Sequence, residues 1–351
     1  MKPYLDDFVW ELTERCNLSC RHCGSDCISS VREAELSRDD AMRVVGDMEQ
    51  FDIKRIVFSG GEPLLCSYWR ELAQAFNHRS ELGMVTNGTL LTAETAREMK
   101  EYGFNVVSVS VDGLEKTHDN RRTAGNFRQC MNAIRNIREA GLVPAVNTTV
   151  TKENLNELPQ LQKQLREAGV SSWQVQPAVP SGRMSENRES VPSIEDIRSI
   201  IRFAYESNSV GNTPVVFLAE TIGYYSVAET LARKIAFGTD KLPVWKGCPA
   251  GIKTMGILAT GELIGCISLR GNLFRECNVR DLWREGITIA DYWNSDKSFK
   301  WRRELRPEML GEKCSDCRYA ECCVGGCSNV RYCSNGTVES DNPFCIYSEE
   351  M

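Results

Sequence analysis

The chain has 351 residues, 42% of them hydrophobic, with 42 Lys and Arg against 48 Asp and Glu for a formal charge of −6. That composition belongs to a globular protein and excludes a disordered or collagen-like chain, and the mild acidity argues against nucleic acid as a partner. No run approaches the ~18 apolar residues of a membrane span, and the N-terminus carries no apolar export stretch, so a cytoplasmic location is expected.

Short β-rich runs at 8–12, 55–58, 83–86, 106–111, 143–149 and 172–176 read as strands. Between and after them, 37–51, 92–102, 127–140, 155–168 and 194–207 carry apolar residues at helical spacing. Ser37 and Thr92 stand where helix N-caps belong, and Gly103, Gly141 and Gly169 where C-caps belong. Strand and helix alternate, which implies parallel strands joined by right-handed crossovers. A doubly wound sheet and a barrel or part-barrel both fit that pattern, and either places ligands where strands end and loops begin. The loops in question are Gly60-Gly61-Glu62-Pro63, Thr86-Asn87-Gly88 and Asp112-Gly113.

After the helix at 194–207 the pattern loosens through Gly211, Pro214 and the 241–243 stretch. The expected boundary falls near 235, giving domains of 1–235 and 236–351. Residues 256–266 read as a hairpin with a Thr-Gly turn at Thr260-Gly261.

The 16 cysteines are the anomaly, since disulfides do not account for them in a reducing compartment. Five lie in the first 70 residues, Cys130 lies in the middle, and ten lie from Cys248 onward. Cys16, Cys20 and Cys23 form CxxxCxxC on the loop after the first strand. Three thiolates are one fewer than a closed iron–sulfur or zinc site uses, so a cubane held this way keeps one iron open. A zinc loop that borrows Cys27 is the alternative.

CxxxCxxC after the first strand, followed by Gly60-Gly61-Glu62-Pro63 after the second, resembles the radical SAM superfamily, and the resemblance extends over most of the chain. It implies a partial (β/α)6 TIM-like barrel, with a four-iron cluster on Cys16, Cys20 and Cys23 whose open iron is chelated by S-adenosylmethionine. By the same resemblance the loop of Gly60, Gly61, Glu62 and Pro63 contacts the methionine amino group. Ser110 and Asp112 fall in the fourth-strand motif, where the serine helps hold the carboxylate. Arg122, the end of His118-Asp119-Asn120-Arg121-Arg122, is the carboxylate's expected cationic partner. Asn87 is counted with these cofactor-binding residues. His22 fills a position that is usually aromatic in the family, which implies a place against the adenine; a surface histidine is the alternative. Cys27 matches no ligand position and is read as a packing thiol.

The C-terminal order, Cys248-X12-Gly261-X4-Cys266 and then Cys314, Cys317, Cys323 and Cys327 as CX2CX5CX3C with Cys345 beyond, is similar to the SPASM domain. That resemblance implies a distal auxiliary four-iron cluster on Cys314, Cys317, Cys323 and Cys345, and a proximal one on Cys248, Cys266 and Cys327. A treble-clef-like zinc domain is the alternative that CX2C spacing leaves open. Thr254 and Ile267 stand where the sulfatase-maturase pattern has a cysteine and an aspartate, so the proton acceptor of that chemistry is absent. The proximal set's fourth position is expected to be open, or else closed by a spare thiol, Cys277 ahead of Cys322 and Cys333.

The implied activity is reductive cleavage of S-adenosylmethionine to a 5'-deoxyadenosyl radical, which abstracts hydrogen from a substrate in the barrel. Three [4Fe-4S] clusters take part, and oxidation or cross-linking is the expected outcome. The expected substrate is a ribosomally made peptide, with small-molecule dehydrogenation as the enzyme alternative and an iron–sulfur electron carrier or zinc scaffold as the non-enzyme one. An external one-electron donor such as flavodoxin or ferredoxin is implied. Only 15 residues precede Cys16, so leader recognition would fall to a separate protein or to the barrel and C-terminal region.

Overall fold

The structure is a computed structural model that describes residues 3–27, 34–76, 79–242 and 245–347. Pro243, in the stretch where the pattern loosens, lies outside the described residues. Seven strands run in chain order: β1 (Asp7–Glu11), β2 (Arg55–Ser59), β3 (Glu81–Thr86), β4 (Phe104–Ser110), β5 (Val143–Val150), β6 (Ser172–Pro177) and β7 (Val215–Leu218). Each pairs in parallel with the next. The helices that follow them include α1 (Arg38–Met48), α2 (Trp69–Phe76), α3 (Ala93–Glu101), α4 (Glu115–Arg121), α5 (Asn126–Glu139), α6 (Leu158–Glu167), α7 (Ile194–Ser209) and α8 (Val227–Ala236).

The sequential strand order has no reversal, which is the winding of a barrel and not of a doubly wound sheet. The sheet remains open between its two end strands, so the fold is a partial (β/α) barrel. Strand β7 and helix α8 lie where the sequence pattern loosens. Only four residues, Val215 to Leu218, form this strand, and Gly211 and Pro214 just before it mask the signal. Helix α2 was also not expected.

On the other side of β1 the sheet continues through β8 (Thr254–Ile257), β9 (Glu262–Ile264) and β10 (Arg275–Asn278). Strand β8 pairs in parallel with β1, and β8 and β9 form the expected hairpin. Gly261 closes its turn at φ +103°, a left-handed conformation that a side chain resists. The sheet therefore runs across position 235.

Local chemistry explains the helix ends. Ser37 accepts from the Asp40 amide while Asp40 accepts from the Ser37 amide, a complete capping box, and Thr92 accepts from the Thr95 amide. Between the sheet and its helices, Trp10, Phe58, Phe76, Phe104 and Trp69 pack edge to face, with centroid separations of 5.9 to 6.4 Å. That core also takes in Leu263, Trp293, Val330 and Phe344 from the C-terminal third. Among the described residues no helix is long and apolar enough to cross a membrane.

Candidate active site

The CxxxCxxC loop leaves the end of β1 and is fixed by three neighbouring loops. The first is Gly60 to Pro63. Gly61 N donates to Thr13 O and Glu62 N to Arg15 O, each at 2.8 Å. A Cβ on Gly61 would stand 2.2 Å from the Arg15 carbonyl, and one on Gly60, at φ +146°, 2.6 Å from Thr13 O. The paired glycines thus allow a backbone-on-backbone approach to the cysteine loop.

Glu62 is fully buried. Its carboxylate accepts from Leu64 N (3.2 Å), Thr86 Oγ1 (2.8 Å) and Asn87 N (2.8 Å), tying the β2 loop to the β3 loop. A carboxylate has about four acceptor positions, and three of them are taken by donors among the described residues. Burial pushes this carboxyl up to about 7 although those hydrogen bonds oppose it. Asn87 Nδ2 lies 3.8 Å from Cys16 Sγ.

The second neighbour is the end of β4. Asp112, fully buried, accepts from Arg122 Nε (2.6 Å), His22 Nε2 (2.9 Å) and Thr149 N (2.8 Å). Burial alone would raise its carboxyl, but Arg122 and His22 outweigh that and hold it well below the usual range. Arg122 Nη1 stands 4.0 Å from Cys20 Sγ. His118 accepts from Asp112 N on Nδ1 and meets Asn126 Oδ1 on Nε2, so it is a buried scaffold residue. Ser110 ends β4 and its carbonyl accepts from Cys130 Sγ (3.5 Å). His22 is buried between the two arms of this network, which removes the surface reading.

The third neighbour follows β6. Arg183 Nε donates to Cys20 O (2.7 Å) and Nη1 to Cys27 O (3.0 Å), and a Cβ on Gly182 would fall 2.4 Å from Cys23 O. Sequence reasoning missed this clamp, whose visible signal is the Pro180-Ser181-Gly182-Arg183 turn. From the C-terminal third, Arg270 Nη2 donates to Glu11 and to Ser25 Oγ (2.7 Å).

Cys16, Cys20 and Cys23 lie together, with Cys27 packed beside them. Burial raises Cys16 and Cys20, the latter to about 11, whereas hydrogen bonding with Cys27 pulls Cys23 down. Metal binding would therefore displace protons from at least the first two thiols. Among the described residues no three His, Cys, Asp or Glu side chains converge tightly enough to share a single metal ion. Three thiols beside Arg122 and Arg183 have the donor chemistry that suits a larger group, an anionic thiolate-bound cluster.

The C-terminal cysteines fall into two neighbourhoods. Cys327 feels Cys248 and Cys266, and Cys323 feels Cys345, Cys314 and Cys317, so the expected proximal and distal groupings are each brought together. Tyr224 stands between them: its hydroxyl accepts from Cys327 N (2.9 Å), and its ring leaves no room for a Cβ on Gly326 (2.5 Å). The spare thiols have partners of their own. Cys277 is influenced chiefly, after burial, by Glu276, Tyr292 and Asp281, Cys333 bonds Asn329 Oδ1 (3.3 Å), and Cys322 meets the Tyr225 hydroxyl (3.3 Å).

A cavity of about 220 Å³ lies between the two ends of this system. His22 to Ser25 line it from the cysteine loop, Thr149 and Gln176 from β5 and β6, and Ser268 and Asn329 from positions two residues past Cys266 and Cys327. His22 Nδ1 and Thr221 Oγ1, both in its lining, are buried without a partner among the described residues. A second cavity of about 360 Å³ adjoins at His22 and Met184.

A part-barrel with clustered thiols at the mouth of β1 defines an enzyme of the cluster-dependent radical class. Residues 10–165 match the radical SAM superfamily. The chain is 31% identical to an AdoMet-dependent heme synthase of Methanosarcina barkeri, covering 97% of this chain and 95% of that protein. It is 23% identical to the mycofactocin maturase of Mycolicibacterium smegmatis, over 96% and 82% of the two chains. Its fold is shared with Streptococcus suis SuiB bound to S-adenosylmethionine, at a TM-score of 0.74, 18% identity, and 97% and 76% coverage. The chain belongs to the radical SAM superfamily, whose members use S-adenosylmethionine and a four-iron cluster.

Proposed function

We propose that this enzyme oxidises one side chain of a peptide. In this reading Cys16, Cys20 and Cys23 hold the radical-generating cluster, and Gly60 to Pro63, Asn87, Ser110, Asp112, Arg122 and His22 hold S-adenosylmethionine. Cys248, Cys266 and Cys327 hold a proximal auxiliary cluster, and Cys314, Cys317, Cys323 and Cys345 a distal one, within a SPASM-type region at 236–351 that follows the 1–235 barrel. The bound group supplies a 5'-deoxyadenosyl radical that takes a hydrogen atom. The chain's own residues exclude water, orient the substrate and receive it beside the proximal set. An external one-electron carrier supplies the reducing electron.

The observation that carries the reading is the 220 Å³ cavity between the first cysteine loop and the proximal set. It is smaller than the roughly 300–1,000 Å³ of pockets that enclose a drug-sized ligand, so it suits one side chain presented by a larger molecule. Thr149, Gln176, Ser181, Thr221, Ser268 and Asn329 give it hydroxyls and amides, and among the described residues no Lys or Arg lines it, Arg21 and Arg121 belonging to the adjoining cavity. Uncharged donors and acceptors match an amide-rich chain better than a carboxylate, which calls for a cation.

A second reading, modification of a tetrapyrrole side chain, is favoured by the likeness to the heme synthase. The test is anaerobic reconstitution followed by elemental analysis, with about 12 iron atoms per chain expected from three four-iron clusters. Incubation with S-adenosylmethionine and either short peptides encoded beside this gene or iron-coproporphyrin then separates the substrates by mass spectrometry. Product from the porphyrin alone would sink the peptide reading, and stoichiometric zinc in place of iron would sink both.

A further inference from the structure

Arg331 is fully buried on the helix Ser328–Asn335, one turn after Cys327. Its Nη1 donates to the Val338 carbonyl, and its Nη2 to the Val324 carbonyl and Ser328 Oγ, each at 3.2 Å. Nε is buried without a partner among the described residues. None of these acceptors carries charge, and among the described residues no Asp or Glu pairs with this guanidinium. A buried cation with no counter-charge is one of the more costly arrangements a fold can hold, and Arg stays protonated in any such setting.

The backbone is bent to receive it. Val324, Gly325 and Gly326, the three residues between Cys323 and Cys327, all have positive φ, at +47°, +74° and +67°. For β-branched Val324 that conformation is an outlier, and it accompanies the approach of the Val324 carbonyl to Nη2. A Cβ on Gly325 would lie 2.8 Å from Arg331 Cζ, so only glycine lets this segment lie against the guanidinium. Burial pulls the guanidinium's pKa down, and the groups that most oppose this are Cys248, Cys314, Cys327 and Tyr224. Tyr224 donates its proton to Glu220 O (2.8 Å), and burial keeps the phenol neutral. Cys323 of the distal set and Cys327 of the proximal set flank the Val324–Gly326 segment that wraps the guanidinium, so the thiolates of the two sets are the negative groups that the fold brings toward it.

We propose that Arg331 is the internal counter-cation of both C-terminal cysteine sets, balancing the negative charge their thiolates carry once metal is bound and holding the auxiliary centres at a higher reduction potential. The inference rests on the cluster assignment made above and adds to it a residue with an electrostatic task. Reduction makes a thiolate-ligated cluster more negative, and a fixed cation in a low-dielectric site favours that reduced form. The auxiliary centres are thereby set up to accept the electron that a substrate radical loses as it is oxidised. Arg331 acts through the clusters, so it is a positioning residue and not a catalytic one.

The test uses the full chain with Cys16, Cys20 and Cys23 changed to Ala, so that only auxiliary signals remain. Iron per chain and EPR-monitored midpoint potentials are compared in that background and with Arg331→Met or Arg331→Lys added. The expected result is a more negative potential in Arg331→Met, with Arg331→Lys restoring most of the original value. Full auxiliary iron with an unchanged potential in Arg331→Met overturns the proposal while leaving the cluster assignment intact. If Arg331→Met loses iron, retention of iron by Arg331→Lys supports the charge role, and equal loss in both variants overturns it in favour of shape. A background protein that takes up no auxiliary iron removes the cluster assignment and the proposal with it.

Discussion

Arg122 and Asp112 show how far a residue's family role and its structural role can be fused. Arg122 is expected to hold the carboxylate of S-adenosylmethionine, yet in the structure its Nε is already bonded to a buried carboxylate at 2.6 Å. Arg122→Ala should therefore lower stability by about 3–5 kcal/mol, because it strands a buried charge. Adding Asp112→Asn should recover part of that loss, which denaturant titration of the two single variants and the pair will measure. Glu62 gives a pH signature. Its folded value of about 7 lies above the ordinary 4.5, so the folded state binds the proton more tightly. The stability it contributes is full below about pH 4.5 and is lost as pH rises toward and through 7. Thermal unfolding between pH 5 and 8 should fall with rising pH, and Glu62→Gln should flatten that slope; an equal slope in the variant would place the titration elsewhere.

At the scale of elements, the parallel pairing of β1 with β8 ties the two cysteine-bearing ends together. Gly256 lies opposite Val9, and a Cβ there would stand 2.8 Å from the Val9 carbonyl and 3.0 Å from Ile267 Cγ2. Gly256→Ala should cost about 1–3 kcal/mol through overpacking. Hydrogen exchange should quicken in both β1 and β8, since neither strand has another way to satisfy those amides. Quickening confined to β8 would show that β1 is held by β2 alone. On the helix side, Ser37→Ala removes one half of a capping box and should cost about 1 kcal/mol, read by the denaturation midpoint.

For the whole molecule, the sheet and its apolar core cross the expected boundary at 235. A fragment of residues 1–235 would expose the β8-facing edge of β1 together with the apolar surface that Leu263 and Trp293 cover. Such an edge is a template for pairing with another chain. The fragment should associate on size-exclusion chromatography and bind less iron per CxxxCxxC than the full chain; a monomer with full iron would instead mark 1–235 as a self-sufficient unit.

The sequence alone determined the local features: six of the seven barrel strands, the helix caps at Ser37 and Thr92, the Thr260-Gly261 hairpin and the spacing of every cysteine motif. These depend on periodicity, capping chemistry and spacing, which are properties of neighbouring residues. Tertiary structure decided what depends on distance in space. It placed β8 against β1, set Gly60 and Gly61 against the cysteine loop's backbone, and joined His22, Asp112 and Arg122 across three loops. It also buried Arg331 against the segment between Cys323 and Cys327, and nothing near Arg331 in the chain distinguishes it from a solvated surface charge. Burial and long-range electrostatics come into being only when the chain closes on itself, so no local pattern encodes them.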